Sequence, residues 1–411
     1  MLIALTKLAD IAARSLFVLL VLYALPVRST GQFGLALTLV GFFTFAAGFE
    51  RYADLQRRMV TLSAEQTERL IVSSLGFWAA NHLVGMPVLL GLLLWWVKLP
   101  PALVVLFGVI AVVEHLSNEV YRISLIVTRH RALLLAVLAK NLLTLAAVGG
   151  LLWLQADQFT LEAVIWIWAA TSLLGLLAVG LGFTRTWVFT SLAAAGGAGL
   201  RQIGQYQASR THFMIGLVAV AALQVDRLLA GALLTLEQTG LYFRHIFLAS
   251  FAYQVFNVAS YNRVAPRVYN QAQSGRPAQA RATLRREYRL IALMAVLLTA
   301  AIWLISRSRL GQTRVAEGID PYFLSVLVLG YLLRAGADFN AMLLNAVFEE
   351  HGVFTSQTVA LLVTIAANIA LTSSFGMAGT VTSLVVGSAC YLLLSALRVR
   401  HSTPLNIAKA G

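Results

Sequence analysis

The chain has 411 residues, with 59% apolar and 12% charged residues and a formal net charge of +14. Ordinary soluble domains carry about twice that share of charge, so the composition excludes a soluble enzyme and indicates a polytopic helical membrane protein. The single cysteine, Cys390, excludes an intrachain disulfide and leaves the redox compartment unread.

A helix needs about 20 apolar residues at about 1.5 Å rise to cross a bilayer. Runs of that kind predict twelve spans, at about 4–25, 32–50, 70–97, 102–127, 132–154, 162–184, 209–233, 240–262, 288–306, 322–347, 352–373 and 379–397. The first run is not read as a cleaved signal, because Lys7, Asp10 and Arg14 interrupt it and no small-x-small site precedes Pro26. Asp10 and Arg14 are four apart and are expected to pair on one helical face. Lys7, near the inner end, is expected to snorkel.

Span four carries Glu114, His115, Asn118, Glu119 and Arg122, whose spacing makes one polar stripe. Such a stripe either locks helices together or lines an aqueous cavity, and the two readings can coexist. His115 is read as a satisfied hydrogen-bond partner, not a proton switch. In span five, Lys140 lies about 14 Å from the inner end by helix rise, too deep for easy snorkelling. It is a candidate for contacting a negative substrate group or for neutralising Glu114. Trp95, Trp96, Trp153, Trp166 and Trp168 fall near predicted outer ends and read as interfacial belts.

The polar segment Thr184 to Ser209, with its Ala-Ala-Gly-Gly-Ala-Gly at 194–199, divides the chain. The expected organisation is an N-terminal six-helix lobe at 1–186, a cytoplasmic connector at 187–208, a C-terminal six-helix lobe at 209–400 and a tail at 401–411. Span seven carries Asp226 and Arg227, and span eight carries Arg244 beyond the short break at Leu236-Glu237-Gln238. Asp226 and Arg244 fall at similar depth and are expected to pair, while Arg227 points about 100° away from Asp226 and can snorkel outward. The polar stretch Arg263 to Glu287 reads as a loop after span eight. Span ten carries Arg334 and Asp338, four apart, with Asn340 and Asn345 beyond them.

Basic residues set the orientation. With the N-terminus in the cytoplasm, the outer side holds only Arg28, Lys98, Arg307, Arg309 and Arg314, and the inner loops and tail hold most of the rest. Both termini are then cytoplasmic. The high positive charge is explained by topology and by contact with anionic phospholipids at the cytoplasmic face, so no nucleic-acid partner is expected.

The two halves look related. Thr30-Gly31-Gln32-Phe33 at span two recurs as Thr239-Gly240-Leu241-Tyr242 at span eight, 209 residues later. Asn118 and Asn141 match Asn345 and Asn368 at an offset of 227. Both offsets join helices of the same direction, which predicts a parallel repeat about a pseudo-two-fold axis along the membrane normal. Paired halves of that kind place a substrate site near the midplane between them.

Four segments carry a family likeness. Thr30-Gly31-Gln32-Phe33-Gly34 leads to Gly48-Phe49-Glu50-Arg51; Asp226-Arg227-Leu228-Leu229-Ala230-Gly231 opens the second half. Thr239-Gly240-Leu241-Tyr242 follows, and Asn368-Ile369-Ala370-Leu371 precedes Phe375-Gly376-Met377-Ala378-Gly379-Thr380. These resemble motifs of the polysaccharide and lipid-linked oligosaccharide flippases, O-antigen flippases among them, which are relatives of the multidrug and toxic-compound exporters. The resemblance implies two six-helix lobes that open alternately to each side. It also implies a polyprenyl-pyrophosphate-linked glycan as substrate, moved from the inner to the outer leaflet of a bacterial cytoplasmic membrane, with other polysaccharide-assembly proteins as possible partners. Twelve spans fit the peptidoglycan-precursor flippases less well, since these usually have fourteen.

Seven intramembrane cations, Lys7, Arg14, Arg122, Lys140, Arg227, Arg244 and Arg334, stand against five acids, Asp10, Glu114, Glu119, Asp226 and Asp338. A cationic excess suits pyrophosphate or acidic sugars, because guanidinium binds such oxygens bidentately. Arg14, Arg122, Lys140, Arg244 and Arg334 are therefore the candidate substrate-binding cations. The five acids are candidates for structural ion pairs or for proton or sodium coupling. No paired His or Cys suggests a metal, and no cofactor or catalytic residue is expected. An exporter of cations or drugs would favour acids and aromatics in its interior. A sugar polymerase or glycosyltransferase would need an extramembrane loop with acid–base or metal-binding groups, and the outer loops here are short. A scramblase or scaffold remains open at this level.

Overall fold

The computed structural model describes residues 2–51, 55, 64–124, 131–186, 203–307 and 320–402. The glycine-rich segment at 194–199, the Arg309 and Arg314 cluster and the tail from 403 lie outside the described residues, as does the side chain of Lys7. Among the described residues the fold is all helical. Twelve long helices follow one another: α1 (Leu2–Ala24), α2 (Val27–Gly48), α3 (Ala64–Gly91), α4 (Pro101–Ser124), α5 (Arg131–Leu154) and α6 (Leu161–Thr186), then α7 (Ile203–Leu233), α8 (Leu236–Gln273), α9 (Pro277–Arg307), α10 (Pro321–Ala346), α11 (Glu350–Phe375) and α12 (Met377–His401). Ten are long and apolar enough to cross a membrane; α1, with its three charges, and α8, with its polar second half, are the other two. The chain is a multi-pass membrane protein. Leu83, Val84, Leu154 and Leu304 stand exposed on the helix surfaces, as side chains facing hydrocarbon do.

The helix ends follow local chemistry. Thr235 caps α8 in a reciprocal box: its hydroxyl accepts from the Gln238 amide, and the Gln238 side chain accepts from the Thr235 amide. Leu236-Glu237-Gln238 is thus the first turn of α8, and the break lies just before it. Asp320 caps α10 by accepting from the Tyr322 amide at 2.7 Å, with Pro321 in the first turn.

The chain forms two compact units, Met1–Leu217 and Val218–Gly411. The division falls within α7, and the helix itself begins at Ile203, inside the segment expected to be a connector. In the first unit, Tyr206 and Phe213 of α7 are seated among aromatics. Phe213 stacks on Phe49 at 4.1 Å and on Phe45 at 5.4 Å, and Tyr206 lies 4.7 Å from Phe77. A second cluster joins α1, α2, α4 and α6 through Phe17, Phe33, Phe107 and Trp168, with centroids 5.4–6.3 Å apart.

In the second unit, α11 and α12 pack closely along a polar seam. Asn368 donates to Ser383 at 2.8 Å, Thr372 to Asn368 at 3.0 Å, and Thr372 meets Thr380 at 2.9 Å. Hydrogen bonds and small residues of this kind replace the hydrophobic drive that lipid cannot supply between membrane helices.

The stretch Arg263 to Glu287 is not a loop. α8 continues to Gln273, α9 begins at Pro277, and only 274–276 lie outside helix. Val264, Ala265, Val268, Ala280 and Leu284 of this hairpin are buried in a core with Phe339, Met342 and Leu343 of α10. The polar residues mark a solvated face of an amphipathic pair, and Arg, Gln and Ala between them are good helix formers.

Candidate functional site

Glu114 is the centre of the first unit. It lies on α4, is buried, and draws donors from three other helices. Arg14 of α1 forms an ion pair with one oxygen, and Lys140 Nζ of α5 stands 2.5 Å from the other. From α6, Trp168 Nε1 donates to the same oxygen at 3.3 Å and Ser172 Oγ at 3.4 Å. An isolated carboxylate in a low-dielectric interior is costly, and several convergent donors offset that cost. Arg14 also reaches Asn118 Oδ1 at 3.4 Å. The expected Asp10–Arg14 pair does not form: Asp10 accepts from Asn141 of α5, and Arg14 turns to Glu114. Lys140 neutralises Glu114, one of its two anticipated roles. Trp168 is buried and bonded in this cluster rather than lying in the interfacial belt, unlike exposed Trp95, Trp153 and Trp166.

Exposure separates the two cations on Glu114. The Arg14 side chain is 38% exposed and the Lys140 side chain 1%. Arg14 is therefore accessible to a ligand, and Lys140 is not.

One to two turns along α4, Glu119 pairs with Arg122 at 3.1 Å; the Arg122 side chain is 35% exposed. His115 Nδ1 lies 3.0 Å from His82 Nε2 of α3. The stripe therefore faces α1, α3, α5 and α6 over much of its length, as the interhelical reading of it requires, and opens to the surface at Arg14 and Arg122.

In the second unit the acids are held by tyrosines. Asp226 of α7 accepts from the Tyr242 hydroxyl of α8, and Asp338 of α10 from the Tyr253 hydroxyl of α8. Asp226 does not pair with Arg244, which is itself buried. Arg227 lies over the Phe247 ring at 4.7 Å and beside the Tyr331 hydroxyl, inside the unit rather than snorkelling outward. Arg334 donates Nη1 to the Ala222 carbonyl at 2.8 Å and lies 5.8 Å from the Tyr391 ring. The cavity at Arg334 measures about 10 Å³ and is lined also by Gln357, Thr364 and Ser388; that is room for about one water. Arg334 and Asp338 share a face without forming an ion pair. Tyr242 and Tyr253 went unnoticed as site residues in the sequence. Their signal was depth: Asp226 and Tyr242 lie at similar distances on either side of the turn at Leu234 and Thr235.

Comparison with known proteins places this architecture. No family model and no curated protein sequence matches the chain. Solved structures do match. A lipid II flippase, MurJ, in an inward closed conformation superposes with a TM-score of 0.67 at 11% identity, over 96% of this chain and 87% of that one. An inward-facing multidrug resistance transporter of the MATE family, in the MOP superfamily, gives 0.66 at 12% identity over 99% and 96%. The eukaryotic MATE transporter AtDTX14 gives 0.58 at 14% over 99% and 96%. The chain has the MATE and MurJ fold. These neighbours are a flippase and transporters, and at these identities the likeness shows the fold alone.

Proposed function

We propose that the chain translocates a polyprenyl-pyrophosphate-linked oligosaccharide from the inner to the outer leaflet of a bacterial cytoplasmic membrane by alternating access. The observation that carries this reading is Arg14: a guanidinium on a buried carboxylate that keeps a large exposed fraction. Carboxylate and phosphate oxygens fit the same planar fork, so a pyrophosphate can compete with Glu114 for Arg14. Lys140 then remains on Glu114 and keeps its charge compensated. Arg122, on the α4 stripe that carries Glu114, is the second accessible cation, with Glu119 in the corresponding role. The lipid II flippase among the fold neighbours supports handling of a lipid-linked substrate, and anionic phospholipids at the cytoplasmic face, proton or sodium coupling and contacts with other polysaccharide-assembly proteins belong to the same proposal. In this reading the chain is a transporter and performs no bond chemistry.

The MATE neighbours favour a second reading, export of cations or drugs. Its own support is Glu119, whose Oε2 is buried with no hydrogen-bond partner among the described residues. A carboxylate with an unused oxygen is suited to exchange a proton or accept a cation. One experiment separates the two. Lipid-linked oligosaccharide is probed with a membrane-impermeant glycan-cleaving reagent in cells with and without the protein. Trapping of the complete intermediate on the cytoplasmic face upon depletion supports the flippase; normal arrival at the outer face rejects it and leaves small-molecule export.

A further inference from the structure

Away from these clusters, the second unit holds a cavity of about 320 Å³ between α9, α10 and α12, much larger than the space at Arg334. Arg281, Arg285 and Arg289 of α9 form one wall, at successive four-residue steps of one helical face. The rest of the lining is mostly apolar, with Leu284, Phe339, Leu343, Leu392 and Val399, and Tyr288 and Asn340 add two neutral polar side chains. None of the described lining residues is acidic. The nearby acid Glu287 is already paired, with Arg263 at 2.5 Å. Gly336 forms part of the floor, where an added Cβ would meet Leu392 at 3.1 Å and Tyr288 at 3.2 Å; the missing side chain keeps the space open.

The depth of this cavity is fixed by its own helix. Immediately beyond Arg289, α9 exposes Leu290, Leu293, Met294, Val296 and Leu297, a face suited to acyl chains. Towards its start it joins the polar hairpin. The three arginines span about 12 Å of rise and so stand at the junction of hydrocarbon and headgroups. Arg285 and Arg289 are exposed and make no ion pair among the described residues.

We propose that this cavity is a binding site for one anionic phospholipid of the surrounding bilayer. The headgroup phosphate sits on Arg285 and Arg289 with Arg281 beside it, and the first methylenes of an acyl chain run along Leu284, Phe339 and Leu392. Guanidinium forks suit phosphate oxygens, and basic pockets between membrane helices bind anionic headgroups. The inference is independent of what the chain transports.

The test titrates the full-length protein in detergent with phosphatidylglycerol or phosphatidylcholine and counts bound lipid by native mass spectrometry. The wild type is expected to take a first phosphatidylglycerol about tenfold or more tightly than phosphatidylcholine. Arg285→Gln with Arg289→Gln should abolish that preference. Arg286→Gln, one residue along the helix and outside the cavity, should keep it. All three positions are exposed, so the variants are not expected to disturb folding. Equal binding of the two lipids by the wild type overturns the proposal, as does a preference that survives the double change. Displacement by soluble glycerol phosphate as readily as by lipid overturns the acyl contact. Capture of polyprenyl phosphate with no capture of phosphatidylglycerol assigns the cavity to a different occupant and overturns it as stated.

Discussion

Lys140 Nζ lies 2.5 Å from Glu114 Oε1, while Arg14 holds the other oxygen of the same carboxylate. One acid thus supports two cations, which makes the three positions unequal. Glu114→Gln strands a fully buried ammonium beside a guanidinium, and removing one partner of a buried pair costs about 3–5 kcal/mol. Lys140→Met keeps the stem volume and leaves Glu114 with Arg14, Trp168 and Ser172, so about 1–3 kcal/mol is expected. Unfolding of the detergent-purified variants measures both. Equal losses, or a milder Glu114 variant, would remove Glu114 from the centre of the cluster.

The Lys140 stem is also held sterically. An added Cβ at Gly175 of α6 would lie 2.6 Å from Lys140 Cγ and 2.8 Å from Cδ. Gly175→Ala must displace Lys140 from Glu114, and overpacking of this kind costs about 1–3 kcal/mol. In a Lys140→Ala background the same change should cost less, because the two closest clashing carbons are gone and only the contact with Cβ at 2.9 Å remains. A double-mutant cycle reads this coupling directly; additivity of the two changes would contradict it.

The helices were legible in the sequence, as were the Lys140–Glu114 and Glu119–Arg122 pairs, but the partners of several other charges were not. Apolar runs separated by Pro26, Pro100 and Gly376 mark most helix ends, because span length and turn chemistry are local properties. Partner choice is not local. Asp10 and Arg14, or Arg334 and Asp338, look paired at four-residue spacing, yet each group turns to another helix: Asp10 to Asn141, Arg14 to Glu114, Asp338 to Tyr253 and Arg334 to Ala222. Inside a membrane bundle the better partner is the one that also closes a helix–helix contact, and sequence spacing carries no record of it. The hairpin at 263–287 was misread for a related reason: polarity marks water at one face and does not by itself end a helix.

Among the described residues, Tyr242 is the sole side-chain donor to Asp226. Tyr242→Phe keeps the ring and deletes the hydroxyl, leaving a buried carboxylate without it. The expected loss is about 1–3 kcal/mol or more. Adding Asp226→Asn removes the stranded charge and should restore part of the stability. If the double variant is no more stable than Tyr242→Phe alone, the Asp226–Tyr242 bond is not what holds α7 to α8 at this depth.

Two glycines in the turn from α11 to α12 are required for different reasons. Gly376 has φ +58° and ψ −135° with open space around it, so Gly376→Ala meets backbone strain alone, about 1–3 kcal/mol. A Cβ on Gly379 would lie 2.0 Å from the Leu371 carbonyl oxygen. Backbone cannot swing aside as a side chain can, so α12 must move off α11 and break the Thr372–Thr380 and Asn368–Ser383 bonds. Gly379→Ala should therefore cost more than about 4 kcal/mol, in the range where single changes become diagnostic. Expression level and unfolding temperature in detergent check the order of the two.

Arg14 separates charge from geometry in transport. Its expected role in the proposed cycle is to exchange between Glu114 and the pyrophosphate of the substrate, which needs a fork as well as a positive charge. Arg14→Lys keeps the charge and can still satisfy Glu114, so the protein should fold and accumulate normally. Export of the lipid-linked glycan, read by surface labelling, should nevertheless fall about tenfold, the scale of one lost charge-assisted bond at about 1.4 kcal/mol per decade. Arg14→Gln removes both properties and should fall further. The matching changes at Lys140 should act through stability alone, because Lys140 is enclosed. If Arg14→Lys exports as the wild type does while Arg14→Gln fails, only charge matters and the fork-exchange step is wrong. If both export normally at normal protein levels, Arg14 belongs to the scaffold and contacts no substrate.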